Sequence, residues 1–388
     1  MAERALALVL AGLIGGFWGV TLLERDRPYV PTTVADSIPP AADPAAVPAA
    51  QAGGARIRLG FVGDLMQTEA QRHDDFRRSY AGVAPHLRVL DLAVGNLEFP
   101  VDSTLPVGPD PGTVRFNGST AHLDAIADAG FDVLQTANNH CNDRGIPGLL
   151  RTLAAVRGRG MQPVGTATSR DSLDAVPVVV EIKGIPIGFR AYTMVPNVYR
   201  YTGMPEWPSR ELPVDAFDFE YWNGEDRAYG QSVFQRHVAQ ARNAGAQFLV
   251  ALVHWGREHH LAPSEGQRRA AHDLVDAGFD LVVGTHSHVL VPSELYRGRL
   301  IAYSLGNFLT RPLTFVSSVG AVLEVDVVAG ASGASMAGFG FRPTYIRRPT
   351  RELIPVDSAR SSVDAAAWMV ARRVLGPGLR SRDAAAAP

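Results

Sequence analysis

The residues best suited to chemistry in this sequence stand directly after apolar runs. Val282-Val-Gly-Thr-His-Ser-His288 closes one such run (Phe279, Leu281, Val282, Val283) with imidazoles at i and i+2. Delivered by a strand end, two imidazoles can converge on one metal cluster, although an isolated pair reads equally well as two turn histidines. The arrangement recurs along the chain. Gly63-Asp64 follows the apolar run 57–62, Gly95-Asn96-Leu97-Glu98 follows 89–94, Ala137-Asn138-Asn139-His140 follows 131–136, and His254 follows 247–253. Asn96 and Glu98 alternate with Leu97, so both polar side chains face one way in an extended chain. Asp64 by itself reads as a helix cap. Together Asp64, Asn96, Glu98, Asn139, His140, His254, His286 and His288 mix hard oxygen donors with imidazole and include no thiolate, a set suited to Zn, Mn or Fe. A set of this size can surround two divalent ions. Two metals roughly 3.5–4 Å apart activate water and stabilise the charge that develops on an attacked phosphoryl or carbonyl group.

The elements that must position these residues follow from the hydrophobic pattern. Strands over 56–62, 89–94, 131–136 and 161–164, with helices over 119–130 and 148–157, alternate as βα units and predict a largely parallel sheet. Residues 176–182 and 185–192 flank Lys183-Gly184 as a hairpin. Helices over 232–244 and 265–277 each feed a strand, 247–253 and 279–283. Further hairpins are predicted over 289–303 and 320–347, and a last helix over 362–375. Residues 196–231 have little periodicity and many aromatics, which suits either a lid or a covering loop packed by its own rings. Trp255 could wall the site or lie in the core. Cys141 reads as a buried filler, and His259 and His260 as solvated loop residues. Glu258 is close enough in sequence to stand behind the ligands, and Asn307 either lines the pocket or bonds its own turn.

Residues 5–23 form an uninterrupted apolar run bounded by Arg4 and Glu24-Arg-Asp-Arg27. As a helix rising about 1.5 Å per residue this run spans roughly 28 Å, close to the ~30 Å hydrocarbon core. It predicts an uncleaved single-pass anchor with the main domain outside the cytoplasm, a cleaved signal and a secreted domain being the alternative. The Ala/Pro-rich stretch 28–54 reads as a tether. The expected organisation is an anchor at 1–27, a linker at 28–54, a main domain at 55–350, and a helix and tail at 351–388. A net charge of −2 offers no polyanion-binding face, so no nucleic acid partner is expected. With Cys141 as the single cysteine there is no intramolecular disulfide. P-loop, dinucleotide-binding and nucleophile-elbow motifs are absent.

Asp64, the Asn138-Asn139-His140 element, His254 and the Gly284-x-His286-x-His288 ending resemble, in this order, the ligand motifs of calcineurin-like metallophosphoesterases. Gly63-Asp64, Asn96-Leu-Glu98, Ala137-Asn-Asn-His140, His254-Trp-Gly, Gly284-Thr-His-Ser-His288 and Tyr303-Ser-Leu-Gly-Asn-Phe308 resemble still more closely the bacterial capsule-synthesis CapA family, the poly-gamma-glutamate synthesis proteins, over residues 56 to 310. The resemblance implies an α/β fold, a four-layer αββα sandwich of metallophosphoesterase type with the site at one edge, here preceded by the transmembrane helix. It implies Asp64 and His288 on one metal, and Asn139, His254 and His286 on the other. Glu98, or Asn96 beside it, would bridge, and His140 would act as the acid/base or phosphate-stabilising group. Two positions depart from the phosphoesterase pattern: Met66 stands where a D-x-H motif has its histidine, and Asn96 where a bridging aspartate is expected. The function implied is a membrane-anchored, extracytoplasmic factor in capsule or poly-gamma-glutamate-type polymer synthesis or export. Its partners would be an anionic cell-surface polymer or its precursor, the membrane, and a membrane-bound synthesis or export complex. The alternatives are a metal-dependent phosphoesterase hydrolysing phosphate esters, and a non-catalytic scaffold of an export complex.

Overall fold

In the computed structural model, which describes residues 39–379 apart from 48–53, 69–70, 72–74, 110–112, 114, 176, 195, 198–211, 332 and 357–360, the first long strand sets the plan. Along β1 (Arg56–Leu65), Ile57, Leu59 and Phe61 point into a central core, whereas Val62 and Leu65 join a second core on the other face. A strand apolar on both faces has to be covered on both. β1 pairs in parallel with β2 (Leu92–Leu97), and the order continues through β3 (Val133–Gln135) to β4 (Gln162–Val164). On its other side β1 is antiparallel to β12 (Val319–Gly330), followed by β13 (Gly333–Ile346) and β14 (Leu353–Pro355). The carboxyl end of β1 also pairs with the short β11 (Asn307–Leu309).

The second sheet runs β5 (Val178–Ile182), β6 (Ile185–Thr193), β7 (Phe248–His254), β8 (Leu281–Thr285), β10 (Arg299–Leu305) and β9 (Leu290–Tyr296). Its inner face, with Ile187, Phe189, Val250, Leu252 and Val283, shares the central core with the first sheet. Helices α1 (Phe76–Tyr80), α2 (Ala84–Leu87) and α3 (Thr120–Ala129) cover the outside of the first sheet. α4 (Gly145–Arg157) contributes Leu149 and Leu153 to the central core and Val156 to the outer one. α6 (Gly224–Asn243) and α7 (Glu265–Ala277) cover the second sheet, with α5 (Arg170–Ala175) between the two sheets' edges. The expected four layers, helices outside two facing sheets, are therefore present. α8 (Ser362–Leu375) inserts Ala367, Val370, Ala371 and Val374 into the central core beside β9 and β13.

The sequence states where several helices start and stop. α7 opens with a capping box, Ser264 and Gln267 each bonding the other's backbone, and closes at Gly278 with φ +116°. α3 opens on Ser119 and closes at Gly130, φ +102°. α6 begins at Gly224, eight residues before the expected 232. Its first two turns are polar and lack an apolar stripe, and they are held from outside: Arg227 and Gln231 bond Asp273 at 2.8–2.9 Å, and Trp222 lies where a Cβ on Gly230 would sit. Phe217, Phe219 and Trp222 are buried against Phe234 and Trp255. The described part of the aromatic stretch is thus a packed cover.

The membrane part of the expected architecture is corrected. Among the described residues no helix is long and apolar enough to cross a membrane. The longest, α6, carries Glu225, Asp226, Arg227, Arg236 and Arg242, charges a bilayer core would not accommodate. The run at 5–23 lies outside the described residues. The expected transmembrane helix, anchored topology and membrane localisation therefore find no support in the described fold. Of the expected tether, residues 39–47 are described, and they dock onto the domain: the Ala42 amide donates to Ser293 at 2.8 Å, and Pro44–Ala46 form a 3-10 turn capped by Asp43.

Candidate metal centre

Strand register assembles half of the centre. β1 places Asp64 beside Asn96 of β2 on one side and beside Asn307 of β11 on the other, after a register shift that follows Phe61. Gly63 lies within β1, and glycine is required there because a Cβ would come within 1.7 Å of the Gly306 carbonyl oxygen. In the second sheet, register aligns Thr193, His254 and Thr285 across β6, β7 and β8. His286 and His288 leave β8 with φ +95° and +56°, a backbone region that is costly for residues other than glycine and recurs at functional sites.

All eight residues selected from the sequence come together around these rows. His254 Nε2 lies 2.9 Å from Asn139 Oδ1, 3.0 Å from His286 Nδ1 and 3.4 Å from Glu98 Oε1. His288 Nδ1 lies 3.0 Å from both Asp64 Oδ2 and Asn307 Oδ1, and its Nε2 is 3.8 Å from Glu98 Oε1. Two acceptors on Nδ1 fix a proton there, and, against the opposing effect of burial, the Asp64 carboxylate raises the imidazole above its ordinary pKa; Nε2 faces Glu98. His140 lies alongside. Its Nδ1 is 2.7 Å from Asp143 Oδ2, and its Nε2 is 3.4 Å from Asn197 Nδ2.

The donor chemistry fits a cation. Around His254 Nε2 stand a carboxylate, an amide oxygen and a second imidazole nitrogen, more acceptors than one N–H can satisfy. Both Glu98 carboxylate oxygens are buried and have no hydrogen-bond partner among the described residues. Burial, with the nearby Asp64 charge, pushes the Glu98 carboxyl well above the usual carboxylate range. Burial acts most strongly against Asp64, but the hydrogen bond and charge of His288, with His254 and the Asn96 amide, together outweigh it and hold that carboxyl below its ordinary value. Burial drives His254 down to about 3, keeping it neutral as a ligand must be. Two groups of ligand atoms lie close enough to share an ion: Glu98, His254 and His286, and Asp64, Glu98 and His288. Glu98 belongs to both. A further group, Asp174, Asp215 and His237, has both carboxylates paired with Arg170 at 2.6–3.0 Å.

Several residues outside the expected set support the centre. Asn138 Nδ2 bonds Asn96 Oδ1 at 3.1 Å, which turns the Asn96 amide so that its Nδ2 donates to Asp64 at 2.9 Å. Thr285 bonds His254 Nδ1 at 2.9 Å. Asp143 was detectable as an acid three residues after His140; Asn197, far away in the sequence, gave no signal. Of the two residues expected behind the ligands, Asn307 bonds His288 and also the Ser317 carbonyl, whereas Glu258 is exposed and acts on the centre only through its charge. Trp255 is fully buried and donates to the Tyr303 carbonyl, so it belongs to the outer core. Cys141 is buried filler, its thiol pushed up to about 12 by burial.

Comparison with known proteins matches residues 58–312 to the family described as bacterial capsule synthesis protein PGA_cap. The PGA biosynthesis protein CapA of Bacillus subtilis (strain 168) is 29% identical over 259 residues, covering 65% of this chain and 63% of that protein. The capsule biosynthesis protein CapA of Bacillus anthracis is 26% identical over 262 residues, covering 65% and 59%. The chain thus spans less than two thirds of the length of these relatives. Among solved structures, the calcineurin-like phosphoesterase YfkN from Bacillus subtilis aligns with a TM-score of 0.44 and 13% identity, covering 83% of this chain and 98% of that one.

Proposed function

We propose that this chain, which belongs to the bacterial capsule synthesis protein PGA_cap family, is a metal-dependent phosphoesterase serving the biosynthesis of a capsule or poly-gamma-glutamate-type polymer. The observation that carries the reading is Glu98: a fully buried carboxylate with no hydrogen-bond partner among the described residues, shared by two ligand groups drawn from two sheets. A carboxylate left so in a protein interior costs several kcal/mol, and a cation between the groups removes that cost. Asp64, Glu98 and His288 would hold one divalent ion, and Glu98, Asn139, His254 and His286 the other. Zn, Mn and Fe all suit this donor set. When bound, such ions supply an activated water and neutralise charge on the attacked phosphoryl group.

The chain's own residues supply orientation and a proton site. Asp143, which also accepts from the Phe116 amide at 2.7 Å, fixes the His140 ring through Nδ1. Nε2 is thereby left as the atom that can exchange a proton with a substrate oxygen. Asn96 and Asn138 hold Asp64 at its angle, and Thr285 holds His254. An anionic polymer or its precursor is the substrate class that the family membership supports.

The purified chain should contain divalent metal by elemental analysis and should turn over bis(p-nitrophenyl) phosphate in a chelator-sensitive manner. A metal-free protein without turnover after reconstitution with Zn, Mn or Fe would overturn the proposal. The PGA_cap match favours a second reading, in which the same centre cleaves the polymer itself. Chelator-sensitive shortening of poly-gamma-glutamate, with no phosphodiester turnover, would select it.

A further inference from the structure

The two open sides of the sheet pair are closed differently. Beside β9 and β13, α8 fills the gap with its apolar face. Beside β4 and β5, the short α5 and Asp215 leave a cavity of about 240 Å³, far above the ~10–15 Å³ that a single water requires. Its walls are of two kinds. Val164, Leu173 and Phe189 are apolar, and Thr168, Ser172 and Arg190 are polar.

Arg190 is 5% exposed. Its Nη1 donates to the Leu173 carbonyl at 2.8 Å and its Nη2 to Gln240 Oε1 at 2.9 Å, while Nε is buried and has no hydrogen-bond partner among the described residues. Asp215, the carboxylate in the cavity wall, is engaged by Arg170 at 2.6 Å. Among the described residues only neutral oxygens bond Arg190; Asp215 and Asp174 act on it through charge without a hydrogen bond, so no carboxylate contacts the buried guanidinium directly.

We propose that this cavity binds a short aliphatic carboxylate, its oxygens on Arg190 and its hydrocarbon chain against Val164, Leu173 and Phe189. The cavity also lies directly behind the metal centre. Thr166, in its wall, shares a hydroxyl hydrogen bond of 2.7 Å with Thr136, and Ala137-Asn138-Asn139-His140 follows immediately. At Gly165 a Cβ would meet Ala137 and Ala191 at 2.5 and 2.6 Å, so the wall and the ligand loop are in direct contact. The proposal is independent of the phosphoesterase reading, because its readout is binding and needs neither metal nor turnover.

Butyrate, butyramide and butylamine, titrated into the full chain in the presence of chelator and followed by calorimetry and by the thermal unfolding midpoint, separate charge from shape. Butyrate should bind at least tenfold more tightly than either analogue and raise the midpoint in proportion. Arg190→Lys should abolish that preference. Thr168→Trp, at an exposed position in the cavity wall, should block binding without disturbing Arg190, and it decides the matter if Arg190→Lys does not fold. An equal response to all three probes, or butyrate binding unchanged by Thr168→Trp, would overturn the proposal.

Discussion

The two sheets contribute different chemistry to one centre. The first sheet presents oxygen: Asn96, Asp64 and Asn307 in one row, with Glu98 and Asn139 just beyond their strands. The second presents nitrogen: His254 in its row between two threonines, and then His286 and His288. Neither ligand group is complete within one sheet: each takes its carboxylate oxygens from the first and its imidazole nitrogens from the second. The centre therefore exists only where the sheets meet, and metal binding should be linked to the docking of one sheet on the other.

The largest test of this division is Glu98→Gln, which alters the residue shared by both ligand groups. Metal content should collapse, and turnover should fall by roughly the 10²–10³ that loss of one electrostatic stabiliser costs. In chelator the sign reverses. Replacing a buried, unpartnered carboxylate by an amide should raise metal-free stability by about 1–3 kcal/mol. Unfolding midpoints with and without chelator check both halves, and a lower midpoint in chelator would show that Glu98 is structural.

Next come the imidazoles, which the comparison divides between two positions. His254→Ala should empty the position formed with Glu98 and His286, and His288→Ala the one formed with Asp64 and Glu98. Each substitution should halve the metal stoichiometry. Loss of both ions from either single variant would mean that the positions fill only together. Asn96→Asp is expected to act more weakly and in the opposite direction. A carboxylate there, 2.9 Å from Asp64 in place of the amide donor, should tighten metal binding while destabilising the metal-free chain by roughly 1 kcal/mol through like-charge contact. Metal titration and denaturant unfolding of this variant measure the two effects separately.

Much of this centre was legible in the sequence because strand ends are punctuated. Apolar runs stop at Gly63, Gly95 and Gly284 or at a polar cluster, and residues just beyond a stop in an α/β sheet converge on one edge. Long-range hydrogen bonds are not punctuated. Asn197 reaches His140 from 57 positions away, and the early start of α6 rests on Asp273 of α7 rather than on local periodicity. β11 and β14, three residues each, are too short for an alternating pattern to stand out. The role of Asn96 was open for another reason: an amide oxygen can ligate a metal or accept a hydrogen bond, and only Asn138 on its oxygen shows that it orients Asp64.

A test that lies outside both rows is the control for them. His122 of α3 is fully buried, stacked 3.9 Å from Phe76 and 5.1 Å from Phe99, with Nε2 2.8 Å from the Tyr80 hydroxyl. Burial pushes its pKa down to about 3. The unfolded chain takes up a proton near pH 6.5, which the folded chain refuses until about 3. His122 therefore leaves stability intact above that upper value and removes it as pH falls through the window, by at most ~1.4 kcal/mol per pH unit. This loss should appear in chelator just as it does with metal, since no ligand takes part. His122→Phe with Tyr80→Phe, which removes the imidazole and its hydroxyl partner together, should flatten the slope between pH 6 and 4 in urea unfolding. An unchanged slope would place the acid sensitivity elsewhere: in His237, held down to about 2 by burial, or in the centre itself, where both sheets would then contribute to it.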